Sequence, residues 1–446
     1  MKTPMPPPDL STLLNRLQQD KPRRLLELLT RYRPINISQA PYLPWDELRF
    51  RTPPEGFDVE EWWLATRLRR NSVLRQIPLA DVRGEPFAYA LPDEVLRLSE
   101  EITRNASGQI SISEQVTDHD TRDRYLISSL IEEAITSSQL EGASTERSVA
   151  KEMLRSGREP VTVSERMIVN NYHAMTRIGE LRDEKLTPEL ICEIHRIVTE
   201  GTLENPAASG RFQSPGEERI NVLDETDKLL HRPPPAELLP ERMAKLCDFA
   251  NGETGSAYLP PVLRALTIHF MIGYEHPFED GNGRTARTLF YWSMLNQGFW
   301  LTEFLTVSKI LRKAPARYAR SFLHTEQDTN DLTYFFLYHL DVLKRAIEDL
   351  QQHLSAKMEE ARLIQQSLAT LPGEFNHRQV AVLDNAVKNP GQNYTARSHG
   401  RSHRVSEETA RKDLGQLEER GFLLRVKAGK KFAWLPAPGL VEKLSK

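Results

Sequence analysis

The stretch His276-Pro277-Phe278-Glu279-Asp280-Gly281-Asn282-Gly283-Arg284-Thr285-Ala286-Arg287 decides how this chain reads. Upstream, Pro261 to Tyr274 (PVLRALTIHFMIGY) is apolar enough for a buried helix, and Pro277 disfavours helical geometry at His276, so the histidine is expected where that helix ends. Gly281 and Gly283 permit a tight turn with positive φ, after which Thr285 to Asn296 resumes a helical pattern closed by Gly298. A turn that opens onto a helix N-terminus aims unpaired N–H groups outward, which makes an anion site fit for a di- or triphosphate. Arg284 and Arg287, three apart, share a helix face and can grip phosphate oxygens in pairs. Asp280 is a hard oxygen ligand beside that site, suited to Mg2+ bridging phosphates. His276 can take a proton from an incoming hydroxyl near neutral pH.

These twelve residues match the pattern H-P-F-x-[D/E]-G-N-G-R-x-x-R at every defined position, and the chain thereby resembles the Fic family. The resemblance implies a mainly α fold: a helical core with a short β-hairpin flap. It also implies an activity, transfer of AMP from ATP onto a Ser, Thr or Tyr hydroxyl of a protein. Carried over by position, His276 resembles the general base and Asp280 the Mg2+ ligand. Asn282, with the amides of Gly281 and Gly283, resembles the cradle for the α- and β-phosphates, and Arg284 and Arg287 would hold the outer phosphates. Phe278 reads as a loop anchor in the core.

Composition sets the frame for that site. The 446 residues are 39% hydrophobic and 27% charged with a net charge of −3, enough chain for two or three globular domains. Cys192 and Cys247 lie far apart without metal or redox spacing, which points to a reducing compartment. No run approaches the length of a membrane span and MKTPMPPPDL has no apolar core, so a cytoplasmic protein without a membrane partner is expected.

Residues 1–110 read as a supporting region. Leu10 to Gln18 and Arg23 to Arg31 are expected as short helices, Tyr42 to Pro54 as irregular, Trp62-Trp63 as the opening of a helix to about Arg70, and Ala90 to Arg104 as another helix. Residues 111–372 read as the catalytic domain. Asp120 to Leu140 shows apolar residues at helical spacing and ends in Ser137-Ser138-Gln139-Leu140-Glu141-Gly142. Alone, an acid before Gly142 marks only a helix end; upstream of the motif it resembles the family's inhibitory helix. The resemblance implies that Glu141 pairs with Arg287 and keeps ATP from binding productively.

Met167 to Leu181 and Pro188 to Glu200 read as helices, and His173, His195 and His269 as packed or surface histidines rather than metal ligands. Arg219-Ile220-Asn221-Val222 alternates as a short strand within a turn-rich stretch. By its place before the motif it resembles the family's flap, whose edge pairs with the backbone of a protein target. Pro240 to Phe249, Thr306 to Leu311 and Ala316 to His324 are further expected helices, with Tyr318 read as packed. Thr333 to about Leu368 is a long helical pattern whose seam through Leu340, Leu343, Ile347, Leu350, Leu354, Met358, Ala361 and Leu368 suits a homodimer contact or an arm to the next domain. Leu371-Pro372-Gly373 is expected to end it.

Residues 373–446 carry 14 Lys and Arg against 8 Asp and Glu. Three expected helices (Arg378 to Lys388, Thr395 to Gly400, and one capped by Ser406) precede a basic hairpin, Leu423 to Lys427 and Lys430 to Leu435. That order resembles a winged helix-turn-helix domain, in which Arg404, Arg411, Lys412, Lys427, Lys430 and Lys431 would face DNA. Three functions are therefore weighed: an autoinhibited AMP transferase whose protein target can include the chain itself, removal of AMP by the same residues, and a DNA-binding regulator built on a catalytic scaffold.

Overall fold

The computed structural model describes residues 3–20, 22–31, 41–107, 119–224, 226–255, 258–369, 375–388, 392–428 and 431–444. They form two compact units, Met1–Glu348 and Asp349–Lys446. The fold is mainly helical, and its paired strands among the described residues are three two-stranded antiparallel hairpins.

The first unit opens with α1 (Leu10–Asp20), α2 (Pro22–Arg31), α3 (Trp45–Leu48) and α4 (Val59–Asn71). Asp58 starts α4 with a capping box to Glu61, satisfying N–H groups that a helix start leaves open. Trp45 and Trp63 pack at 5.7 Å in the small core of these helices, as paired-tryptophan anchors do. The hairpin of β1 (Arg75–Ala80) and β2 (Pro86–Tyr89) follows. It was not anticipated from the sequence, although Ile77 and Leu79 alternate inward along β1. The helix expected from Ala90 starts instead as α5 (Asp93–Ala106), because Pro92 holds extended geometry at its N-cap.

Then come α6 (His119–Leu140), α7 (Arg147–Ser156), α8 (Val163–Glu180) and α9 (Pro188–Thr199). Leu130, Ile131, Ala134 and Ile135 of α6 are buried while Ile127 is exposed. The sequence reading lacked α7, and α8 begins four residues before the expected Met167 because Thr162 caps it through Glu165 N–H at 3.1 Å. A short hairpin, where the flap is expected, pairs β3 (Val222–Leu223) with β4 (Leu229–His231). The strand therefore starts at Val222, not at Arg219; Arg219, Ile220 and Asn221 precede it.

After α10 (Leu239–Ala250), the core of the unit is built on α11 (Pro261–Glu275) and α12 (Asn282–Asn296), joined by the motif loop. Both are buried nearly all round, as a central helix pair must be. Around them pack α13 (Val307–Lys313), α14 (Pro315–Gln327) and the start of α15 (Thr333–Ala369). Leu340, Leu343 and Ile347 of the expected seam are buried, as is Leu354. The side chains of Met358, Ala361 and Leu368, and the stop at Leu371-Pro372-Gly373, lie outside the described residues.

The second unit takes in α15 from Asp349 onward and contains α16 (His377–Lys388), α17 (Ala396–His403), α18 (Glu407–Glu419), the hairpin of β5 (Leu423–Ala428) and β6 (Lys431–Pro436), and α19 (Leu440–Leu444). Val382, Leu383, Leu414, Leu417, Leu423, Trp434 and Leu440 form its core, and Tyr394 bridges to Trp434 beside the hairpin. Buried Asp413 accepts from Arg378 Nε at 2.7 Å and Asn376 Nδ2 at 2.8 Å. Arg404, Arg411, Lys412 and Lys427 are exposed; Lys430 and the side chain of Lys431 lie outside the described residues. No helix among the described residues is long and apolar enough to cross a membrane.

Candidate active site

The motif loop begins where α11 ends. His276 is the C-cap residue in the left-handed region, φ 44° and ψ 52°, with its N–H on Ile272 O at 3.0 Å. For a residue with a Cβ this conformation costs about 1–2 kcal/mol, so the surroundings must hold it. They do so by capping the free carbonyls at the C-terminus of α11. Arg219 Nη2 donates to Glu275 O at 2.6 Å and His276 O at 3.1 Å, and its Nε to Pro234 O at 2.8 Å. His231 Nε2 lies 2.7 Å from Tyr274 O. Arg219, expected on a docking edge, is thus turned inward under the motif loop, whereas Ile220 and Leu223 are exposed.

The middle of the loop is clasped by Asn282. Its Oδ1 accepts from Phe278 N–H at 3.0 Å and its Nδ2 donates to Phe278 O at 2.9 Å. The Asn282 side chain, expected in the phosphate cradle, here spans the loop through both of its amide atoms. Phe278 is buried and stacks on His195 at 3.6 Å with rings 2° apart. His195 Nδ1 accepts from Gly210 N–H at 3.0 Å, so Nε2 carries the proton and donates to Asp280 O at 2.9 Å. Burial lowers its pKa to about 4, which keeps that neutral tautomer. His195, expected to be packed rather than a metal ligand, is buried as expected, and it also holds the motif loop through Asp280 O and Phe278.

Gly281 closes the loop with φ 81° as the N-cap of α12, and a Cβ there would fall 2.7 Å from Thr199 Cγ2. No side chain caps α12, so its first N–H groups are offered outward with the positive end of the helix dipole. A carboxylate sits there. A Cβ on Gly283 would lie 2.8 Å from Glu141 Cδ, and Glu141 Oε1 is 2.9 Å from Arg287 Nη2. Arg287 is buried and donates from Nε to Ser137 Oγ at 2.9 Å and from Nη2 to Ser137 O at 3.0 Å, with Tyr318 facing the same guanidinium. Arg284 is also fully buried, donating from Nη1 to Val198 O at 2.7 Å and from Nη2 to Asp280 Oδ2 at 3.2 Å.

His276 has its pKa lowered to about 4, first by burial and then by the neighbouring His231. It is neutral at pH 7 and free to accept a proton. Asp280 is mostly exposed at the mouth of the site. Among the described residues no group of three or more His, Cys, Asp or Glu could hold a metal ion. One carboxylate next to a phosphate site does fit Mg2+, which usually takes one or two protein oxygens and completes its shell with water and phosphate. Tyr318, read as packed, is half-buried with its hydroxyl 2.8 Å from His269 Nε2.

Residues 185–294 match the Fic/DOC family model. The chain is 34% identical over 118 residues to "Protein adenylyltransferase Fic" of Nematostella vectensis, covering 26% of this chain and 25% of that protein. It is 42% identical over 59 residues to "Protein adenylyltransferase fic-1" of Caenorhabditis briggsae, covering 13% of this chain and 11% of that one. The chain thus aligns with a quarter or less of the length of these relatives. The crystal structure of a Fic family protein from Desulfovibrio desulfuricans G20 superimposes with a TM-score of 0.51 at 18% identity, covering 78% of this chain and 97% of that one, which is a likeness of fold.

Proposed function

The chain is a Fic family protein, and from that premise we propose that it transfers AMP from ATP to a protein hydroxyl and is restrained by Glu141. The observation that carries the proposal is the carboxylate of Glu141 on Gly283 and Arg287. An acid held at the open N-terminus of α12 marks a site built for anions, and it stands where a nucleotide phosphate would have to bind. With Glu141 withdrawn, the first amides of α12 and the guanidinium of Arg287 become available to the triphosphate.

In the reaction, the target hydroxyl oxygen forms a bond to the α-phosphorus of ATP, the bond between the α-phosphorus and its bridging oxygen breaks, and pyrophosphate leaves. His276 accepts the hydroxyl proton, as its neutral state at pH 7 permits. Arg287 and the α12 amides stabilise charge that moves onto the phosphate oxygens. Asp280 would hold Mg2+ against the phosphates, and the ion when bound would neutralise charge on the departing pyrophosphate. The flap would present the target through backbone pairing, with the exposed Ile220 and Leu223 beside it. The resulting products are AMP-modified protein and pyrophosphate.

The test compares α-labelled with γ-labelled ATP on the Glu141→Gly chain in a protein extract. AMP transfer leaves label on protein from the α position alone. Label from the γ position that appears only when the Glu141→Gly chain is added to the extract would mean phosphate transfer by this chain and would overturn the reading.

A further inference from the structure

His231 in β4 is 8% exposed and faces oxygen on both sides. Nε2 is 2.7 Å from the carbonyl of Tyr274 in α11, and Nδ1 is 2.6 Å from Glu326 Oε2 in α14. A carbonyl only accepts, so Nε2 carries a proton. A neutral imidazole would then turn a lone pair at Nδ1 toward the carboxylate at 2.6 Å, whereas an imidazolium donates to both oxygens. A cation at this place also meets the negative end of the α11 dipole and an orphaned carbonyl of its last turn.

The place matters because the flap and the catalytic base meet there. Arg219, just ahead of β3, caps Glu275 O and His276 O, while His231, in β4, caps Tyr274 O two residues before His276. Both cations of the flap segment hold the C-terminus of α11 in the conformation that presents His276. Arg219 keeps its charge at any ordinary pH, but His231 does not. The groups around His231 are Glu326 from α14, Tyr274 and Glu275 from α11, and His276 and Arg219 on the loop side. Its pKa is raised above the usual histidine value: burial opposes the charge, and Glu326, the Tyr274 carbonyl and Glu275 together outweigh it.

We propose that His231 is a positioning residue: as an imidazolium shared between Glu326 and the Tyr274 carbonyl, it fastens the flap to the catalytic loop, so that AMP transfer to protein depends on its proton while nucleotide binding does not. This rests on the transferase reading of the site. Loss of the Nδ1 proton breaks the bond to Glu326 and frees β4 from α14, leaving Nε2–H on the Tyr274 carbonyl as a weaker, uncharged tie to α11. Transfer to protein then falls on the alkaline side, and ATP affinity stays level because the groups that meet Arg287 and Gly283, Ser137 and Glu141, come from outside the flap.

The test uses the full chain in a Glu141→Gly background, alone and with His231→Gln or Glu326→Gln. Three quantities are measured from pH 6 to 9: nitrogen NMR of histidine-labelled protein, ATP affinity by calorimetry, and transfer of labelled AMP onto the chain or extract protein. The expected result is an imidazolium at His231 at pH 7 that becomes neutral at lower pH in Glu326→Gln. Transfer at pH 7 is expected to fall about tenfold in His231→Gln, the worth of one charge-assisted hydrogen bond, with ATP affinity within about twofold by the same reasoning. A neutral His231 at pH 7 overturns the proposal, as does transfer in Glu326→Gln with an unchanged pH profile. Absence of transfer from every form, with the imidazolium present, overturns the transferase reading instead.

Discussion

Glu141 Oε1 lies 2.9 Å from Arg287 Nη2, and the same carboxylate fills the space a Cβ at Gly283 would need, with Cδ 2.8 Å from that position. One acid therefore meets both the arginine and the helix N-terminus that a triphosphate would use, and the absence of a side chain at position 283 is what lets it approach.

From this contact it follows that Gly283→Ala should disable the site without restoring activity. The added Cβ crowds Glu141, but it also stands where phosphate oxygens approach the α12 amides. In a Glu141→Gly background, the further change Gly283→Ala should weaken ATP binding by about tenfold or more, as expected from loss of a close backbone contact to phosphate. Calorimetric titration with ATP checks it, and equal affinity in both forms would count against the cradle.

His195 should matter more than its distance from the chemistry implies. His195→Ala removes the ring stacked on Phe278 and the donor to Asp280 O. A stability loss of about 2–4 kcal/mol is expected from the cavity and the unpaired carbonyl. Urea unfolding measures the loss. Where the variant remains folded, transfer should need more Mg2+ to reach half its maximum rate, because the Asp280 backbone is no longer held by His195.

Arg67 joins the supporting helices to the core. Its Nε meets Asp328 Oδ1 at 2.9 Å and its Nη1 meets Asp331 Oδ2 at 3.4 Å, all three side chains being buried. Arg67→Ala strands two buried carboxylates, so a loss of about 3–5 kcal/mol is expected. Thermal unfolding checks this, and a shift of only a degree or two would contradict it.

Acid should destabilise the fold through its buried neutral histidines. His195, His276 and His324 are each lowered to about 4, chiefly by burial. Between pH 6.5 and 4 the unfolded chain binds protons that the folded chain refuses. Each such histidine thus contributes stability that is present above pH 6.5 and is lost as pH falls, by up to about 1.4 kcal/mol per pH unit. His231 runs the other way: its raised pKa contributes stability at low pH that is lost as pH rises through its folded value. Urea midpoints at pH 7, 5.5 and 4.5 for the chain and for His231→Gln separate the two.

The motif could be read from the sequence because its information is local. Pro277 keeps His276 out of the helix and Gly281 turns the chain into α12, both through short-range sterics. The partners that set the loop are distant in the chain: His195 is 85 residues from Asp280, and Arg219 is 57 from His276. Nothing in the periodicity of α9 distinguishes His195 from an ordinary packed histidine. The flap strand was placed too early because alternation at Arg219 to Val222 looked like pleating, whereas the Arg219 guanidinium is drawn inward by the carbonyls at the end of α11. The β1–β2 hairpin did carry a local signal, Ile77 and Leu79 alternating before Gly84, which Pro78 obscured.

The central claim is that Glu141 restrains an AMP transferase whose base is His276. The most direct measurement incubates the intact chain, Glu141→Gly, and Glu141→Gly with His276→Ala with α-labelled ATP and Mg2+, and reads label on protein. The account predicts strong label with Glu141→Gly alone, little with the intact chain and none with the double variant. Equal label from the intact and Glu141→Gly chains would contradict the restraint, and label from the double variant would contradict the role of His276.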